Sequence, residues 1–338
     1  MDLNAAFDEL QKTADADPEQ VAEARRRRDL FRAAFDGEAE VVEVVPSGSL
    51  ARSTQREPIN DVDVIIVFDA DEHADWGKPG DSAETALKYA GSRINALLGA
   101  TDGTFAKEVR LARPGNHAAK CFLDDPDEPD AFTVDAMPAL RLSDGVLLVP
   151  EKSSRDWIRT NPEHLIQRVA ERQKEWEQFR PLVRVLKLWK DVQDTGLKSL
   201  TVEVLALRHL PAESNRPQAL YRFFNAIETA IENPIMDPGG ECGEVQPDLD
   251  VQKAKRAISA AAKASWSAVS AQDQGDTDRA GCLWRSIFGD AFPEPEGGCP
   301  ETGGSEEDTG FGPSGIGTGT VTGIGISDPR PVTDAPQG

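Results

Sequence analysis

No stretch of this 338-residue sequence approaches the roughly 18 consecutive apolar residues that a membrane-spanning helix needs. Its opening, MDLNAAFDELQK, lacks the basic start and apolar run of a secretory signal and reads as an acidic amphipathic helix. Together these absences predict a cytoplasmic protein with no membrane partner. Cysteine is scarce: Cys121, Cys242, Cys282 and Cys299 form no Cys-x-x-Cys pair. Neither a zinc ribbon nor a disulfide framework is therefore expected, and the four read as buried thiols. His73, His117, His164 and His209 share no metal-ligand spacing, which argues against an imidazole-based metal centre. Positive charge is short as well, since 37 basic residues stand against 59 acidic ones and leave −22. Such a field repels long nucleic acid. The densest basic run, Arg25 to Arg28, falls on a predicted helix and reads chiefly as a solvated face.

The length is enough for about two domains. Residues 1–36 read as helix, with Val21, Leu30, Phe31 and Phe35 as apolar positions among charges. EVVEVV (40–45) and DVDVIIVF (61–68) read as strands, SAETALKYAGSRINALL (82–98) as a helix, and FAKEVRLA, AAKCFLD, AFTVDAM and GVLLVP as further short strands ending near Pro150. The expected fold class is α+β, with a mixed, mostly antiparallel sheet in a first lobe over 1–150 that includes the N-terminal helix. Beyond Pro150 the pattern turns helical. Asn161 is a candidate N-cap with Pro162 at the first helical position, apolar residues from Leu165 to Leu186 follow at three- and four-residue steps, and Pro181 should kink or split that helix. A helical lobe over 151–293 results. From Glu294 to Gly338 the chain is rich in glycine and proline, poor in large apolar side chains, and reads as disordered.

The chemistry is concentrated in PSGSLARSTQREPINDVDVIIVF, residues 46–68. Side chains alternate across a strand, so Asp61 and Asp63 share one face while Val62 and Val64 take the other. Two carboxylates that close repel each other, and a hard divalent cation such as Mg²⁺ or Mn²⁺ relieves the repulsion. In AFTVDAM (131–137), Thr133 and Asp135 share a face opposite Phe132 and Val134, so Asp135 joins the pair if its strand lies beside 61–68. Three convergent carboxylates can hold two divalent ions about 3.5–4 Å apart, an arrangement that activates an attacking hydroxyl and stabilises a departing polyphosphate. The Gly-Ser turn complements them. Gly48 permits close backbone approach to a phosphate, Ser49 offers a hydroxyl, and a helix starting near Ser49 would aim its first N–H groups at the same anion.

A Gly-Ser pair, a spacer, DVD and then a distant VD resemble the nucleotidyltransferase superfamily of DNA polymerase beta. The ordered series GSLARST, DVDVIIVF, TVDAMPAL, WIRTNPEHL, PLVRVLKLWK, LKSLTVEVLAL, NPIMDPGG and WRSIFGDAFP is similar more narrowly to the bacterial cGAS/DncV-like nucleotidyltransferases, over roughly residues 15–293. The resemblance implies a two-lobed fold in which Asp61, Asp63 and Asp135 bind two Mg²⁺ ions. It implies too that Gly48 and Ser49 hold a donor triphosphate, that Lys187 reaches its phosphates, and that Ser199 contacts the donor nucleotide. On the residues alone, Lys187 reads as a solvated helix lysine and Ser199 as a helix cap. The implied activity is synthesis of a cyclic di- or trinucleotide signal in anti-phage defence from nucleoside triphosphates, ATP or GTP foremost. The same carboxylates would equally serve transfer to another acceptor, such as an RNA 3′ end, a small molecule or a protein. The zinc-ligand cluster of the animal DNA sensors is missing, so no double-stranded DNA activator is expected. A ubiquitin-transfer-like partner acting on Gly338 is a further expectation.

Overall fold

The computed structural model describes residues 1–99, 108–213 and 215–300. Residues 301–338 of the Gly-rich tail, Gly338 among them, lie outside the described residues, as do the first three residues of FAKEVRLA. Among the described residues the six expected strands and a seventh that the sequence did not suggest form one mixed sheet: β1 (Val41–Ser47), β2 (Asp61–Phe68), β3 (Leu111–Pro114), β4 (Ala119–Phe122), β5 (Thr133–Arg141), β6 (Leu147–Glu151) and, as the seventh, β7 (Asp156–Thr160). Five of them lie side by side in the order β1-β2-β5-β4-β3, while β6 pairs with β5, and β7 with β6. Among the described residues only β2 and β5 run parallel, and every other strand pairing is antiparallel. This is the α+β architecture the sequence predicts. The sheet continues to Thr160, past residue 150.

The run Val64–Phe68 is fully buried because β2 is central and covered on both faces. On one face Val62, Val64, Ile66 and Phe68 pack with Val134, Ala136 and Leu140 of β5 and with Phe31, Phe35, Ala86 and Ile94 from helices α2 (Pro18–Phe35) and α4 (Ser82–Leu98). On the other, Ile65 and Val67 pack with Val45, Met137, Ala139, Leu147 and Val149. The second face ends at β2 residues 61 and 63, where the carboxylates begin.

The N-terminal helix differs from expectation. It is two helices, α1 (Leu3–Ala14) and α2, because Asp17 caps the second through bonds from the Glu19 and Gln20 N–H groups, and Pro18 opens it. Only α2 rests on the sheet. Leu3, Ala6, Phe7 and Leu10 of α1 instead enter the helical core, where the Phe7 ring meets Trp284 and Phe292 edge-on, each 5.2 Å away. By packing, α1 belongs with the helical lobe and not with the sheet it precedes.

A five-residue helix, α3 (Gly48–Arg52), follows β1. The helical lobe comprises α5 (Pro162–Glu175), α6 (Phe179–Val192), α7 (Ser199–His209), α8 (Arg216–Ala230), α9 (Val251–Asp273) and α10 (Thr277–Phe288). Asn161 caps α5 by accepting the His164 N–H at 3.0 Å, with Pro162 in the first position, as its sequence indicates. The break foreseen at Pro181 falls just ahead of it. The proline occupies the first turn of α6, where its missing N–H costs no helical bond. The cysteine expectation holds in part: Cys282 of α10 is disulfide-bonded to Cys299, bridging 17 residues. Cys121 is the buried thiol expected of it, and Cys242 is half-buried.

Candidate active site

Strand β1 ends in the Gly-Ser bend, and its antiparallel register sets Ser47 opposite Asp63. Gly48 then turns with φ +71°, a left-handed conformation that favours glycine. The bend presses against the carboxylate: a Cβ at position 48 would stand 1.8 Å from Asp63 Oδ2. Glycine is therefore dictated twice, by its dihedral and by its neighbour.

On the other side of β2, the parallel register aligns Asp61 with Thr133 and Asp63 with Asp135. Partners in register point to the same side of a sheet, with strands about 4.8 Å apart. Asp61, Asp63 and Asp135 therefore share the face that carries Ile65 and Met137 further along. Asp61 is exposed and the other two half-buried, while Val62 and Val134 beside them are buried on the opposite face. The structure thus brings these three sequence-predicted residues to one end of one sheet face, with Gly48 against them. Ser49 follows on α3 and is half-buried.

The donor set suits Mg²⁺ in its chemistry, being all carboxylate oxygen. Among the described residues no group of three or more acid, His or Cys side chains is gathered closely enough to hold a metal ion by itself. Mg²⁺ does not require one, since it usually takes one or two carboxylates and completes its shell with water and substrate phosphate.

Lys187 is placed differently from either expectation. It is only 4% exposed, so it is not a solvated helix lysine, and all three of its N–H groups are engaged. Its Nζ donates to Glu203 Oε1 at 2.6 Å, to the Thr54 carbonyl at 2.9 Å and to Thr54 Oγ1 at 3.3 Å. Arg52, the last residue of α3, grips the same carboxylate with Nε at 2.7 Å and Nη2 at 3.3 Å. Burial pushes the Lys187 ammonium below its ordinary range, opposed chiefly by Glu203. Burial would likewise raise the Glu203 carboxyl, but Arg52 and Lys187 outweigh it and hold it at about 2. In this arrangement Lys187 positions the segment after the Gly-Ser bend and does not reach past it.

The rest of that segment is held in the same way. From α6, Arg184 Nη1 donates to the Ser53 carbonyl at 3.0 Å, and Asp191 accepts from Arg56 Nη1 at 2.7 Å. Residues 184, 187 and 191 lie three and four apart on one helix face. The helical lobe thus clamps residues 52–56, and with two cations to one carboxylate its buried cluster leaves a net positive charge behind the bend. Ser199 opens α7 and is exposed; the cap position is Lys198, so Ser199 is not the cap its sequence suggests. It lies one turn before Glu203 on the same face of α7.

Two basic residues on the carboxylate face escaped sequence reading. Lys120 of β4 is in register with Asp135, and Arg113 of β3 with Lys120. Lys120 is one cation in the expected strand AAKCFLD, whose alternation gave the only available signal, and Arg113 falls just past the end of the expected strand FAKEVRLA. The Arg25–Arg28 run is a surface feature: Arg26 and Arg27 pair with Glu23, Arg27 also with Asp124, and Arg28 with Asp29.

Comparison with known proteins gives a consistent picture. No family model matches the chain. It is 24% identical to a probable cyclic nucleotide synthase of Bacillus cereus (strain VD146), over 87% of this chain and 98% of that protein. Its fold superposes on E. coli MS115-1 CdnC, solved with ATP, with a TM-score of 0.67 at 18% identity, covering 87% of this chain and 99% of the other. It superposes also on the CD-NTase CdnG of Bradyrhizobium diazoefficiens, solved with GTP, with a TM-score of 0.61 at 14% identity, covering 86% and 96%. The resemblance read from the sequence therefore holds through most of the chain, which has the polymerase beta-like fold of the bacterial cGAS/DncV-like nucleotidyltransferases.

Proposed function

We propose that the protein is a cytoplasmic, Mg²⁺-dependent nucleotidyltransferase that joins nucleoside triphosphates, with release of pyrophosphate, into a cyclic di- or trinucleotide. The observation that carries this reading is the in-register Asp63–Asp135 pair on one sheet face, with the Gly48 backbone against it. The likeness to a probable cyclic nucleotide synthase and to nucleotide-bound CD-NTases supports it.

The residues divide the work by position. Asp61, Asp63 and Asp135 would hold the divalent ions, which supply charge stabilisation at the reacting phosphate and the departing pyrophosphate. The Gly48 backbone, packed against Asp63, would let a triphosphate approach the bend closely, and Ser49 would offer it a hydroxyl. The clamp of Arg52, Lys187 and Glu203 fixes the bend and contributes net positive charge behind it, so the triphosphate is met by a pre-organised positive environment. Ser199 faces the donor nucleotide from the helical lobe. Asp135, on the far side of Asp63 from the bend, would accept the proton of an attacking ribose hydroxyl, and both nucleotides would bind between the two lobes.

The test is incubation of the protein with Mg²⁺ and all four nucleoside triphosphates, with products read by mass spectrometry and nuclease mapping. Self-contained cyclic products and stoichiometric pyrophosphate are expected, and both should vanish in Asp63→Asn. Turnover that requires an added RNA, small molecule or protein would replace this reading by transfer to that acceptor. The family resemblance makes such a product a signal in anti-phage defence; phage challenge of cells carrying the wild type or Asp63→Asn tests that role.

A further inference from the structure

One register row crosses the whole five-stranded part of the sheet. It runs Ser47, Asp63, Asp135, Lys120, Arg113, each residue paired with the next across β1, β2, β5, β4 and β3. Burial identifies its face. Ala119 and Cys121 pack in the helix-covered core with Val62 and Val134, and Ala112 lies against the same core. Lys120 and Arg113 must then rise on the carboxylate side. With strands about 4.8 Å apart, Lys120 begins about 5 Å beyond Asp135 and Arg113 about 10 Å beyond it. The sheet thus presents, in order, the Gly-Ser bend, two acids and two cations.

Three observations make the cations more than a solvated edge. Lys120 is half-buried and Arg113 exposed, yet neither joins an ion pair among the described residues, in a chain of net charge −22. The Arg113 guanidinium lies over the Phe122 ring, 5.6 Å from its centroid. That contact keeps it above the sheet and sets an aromatic face beside it. Phe122 is itself in register with Thr133, which pairs with Asp61, so the ring belongs to the neighbouring row of the same face.

We infer that Lys120 and Arg113 are the specificity-determining residues for the nucleotide that attacks: they bind its 5′-phosphates and so select a phosphorylated acceptor over a bare nucleoside. This rests on the reading under Proposed function and adds to it which residues choose the acceptor. If the bend holds the donor triphosphate, the attacking hydroxyl must approach from the other side of the carboxylates, over β4 and β3. A polyphosphate brought beside three carboxylates of an acidic protein is repelled unless cations stand locally against it. Lys120 and Arg113 are placed to do so, and Phe122 offers a surface for the base or ribose. The inference commits these side chains to binding and assigns them no bond-making step.

The experiment compares wild type with Lys120→Ala/Arg113→Ala by calorimetric titration of α,β-methylene ATP in Mg²⁺, and by transfer to ATP and to adenosine as competing acceptors. Two bound analogues per wild-type chain are expected and one per variant chain, the lost site weakening at least tenfold while the melting temperature stays put. The preference for ATP over adenosine should fall at least tenfold in the variant, and Lys120→Arg should restore most of it. Retention of both sites at unchanged affinity overturns the inference, as does equal loss of activity towards both acceptors. A wild-type chain that binds no analogue at all would instead overturn the nucleotidyltransferase reading and this inference with it.

Discussion

Two charge clusters flank the Gly-Ser bend, and they are built on opposite rules. Asp61, Asp63 and Asp135 gather charge of one sign at the exposed to half-buried end of one sheet face, whereas Arg52, Lys187 and Glu203 combine both signs in a site where no side chain exceeds 4% exposure. Like charges held together raise the energy of the apo protein and lower it again when a cation binds. Mixed charges under cover do the reverse: they hold geometry fixed and respond little to ligands. On the proposed function, one cluster is arranged for chemistry and the other for the position of the bend between them.

Breaking each cluster should therefore damage a different property. Asp63→Asn is expected to reduce pyrophosphate release at least about a thousandfold, equivalent to about 4 kcal/mol of transition-state stabilisation. It should leave the melting temperature unchanged or slightly raised, because one repelling charge is gone. A pyrophosphate assay beside thermal melting checks both halves, and a loss of activity accompanied by unfolding would erase the contrast.

Glu203→Gln is the converse experiment. It leaves Arg52 and Lys187 buried without a counter-charge, a situation that costs about 3–5 kcal/mol. The wild-type pH dependence sharpens the assignment. Arg52 and Lys187, against the opposing effect of burial, hold the Glu203 carboxyl at about 2 instead of 4.5. The unfolded chain takes up this proton at higher pH than the folded one, so the stabilisation is complete above about pH 4.5 and lost as pH falls towards 2. Denaturation curves should show the gap between wild type and Glu203→Gln closing through that window on acidification.

The two clusters also differ in how far their sequence revealed them. Asp61 and Asp63 announced a shared face through strand alternation alone, and Asp135 did so within its own strand, because the period of two is a local property. That β2 and β5 are parallel neighbours in register is not local. It depends on the return path through α4, β3 and β4, and alternation in each strand only made it a condition to be met. The same limit hid Lys120 and Arg113, whose alignment with Asp135 exists only across strands. The buried cluster was less legible still: a lysine at helical spacing reads as solvated until its helix is docked, and Glu203 gave no sign of turning inward to meet it. Cys282 and Cys299 are close in space through a local return of the chain after α10 that no cysteine motif encodes. For α1, apolar spacing marked a buried face without saying which core it enters.

Gly48 lies where the clusters meet, and its replacement tests whether the bend couples them. Alanine there must hold φ +71° and place a methyl into the Asp63 carboxylate. The left-handed dihedral alone costs about 1–2 kcal/mol. Asp63 must also move, so activity should fall further than this stability change accounts for. Measured as urea midpoint against pyrophosphate release, a drop in stability with full activity would show that the bend can relax without disturbing the carboxylate.

The smallest effect belongs to a third group of charges, which serves as the control for both clusters. Glu23 is held down to about 2 by Arg26 and Arg27, a displacement comparable to that of Glu203. Its surroundings are opposite, because its side chain is 43% exposed and Arg26 is 56% exposed. Water and salt screen such pairs, and ordering long side chains offsets much of what remains, so Glu23→Gln should change stability by at most about 0.5 kcal/mol, less still at high ionic strength. Pyrophosphate release should be unaltered, since α2 meets the sheet on the face away from the carboxylates. Urea unfolding at low and high salt measures the first, and the standard assay the second. A loss approaching that of Glu203→Gln would mean that depressed acidity, and not burial, sets the cost of breaking a charge cluster in this protein.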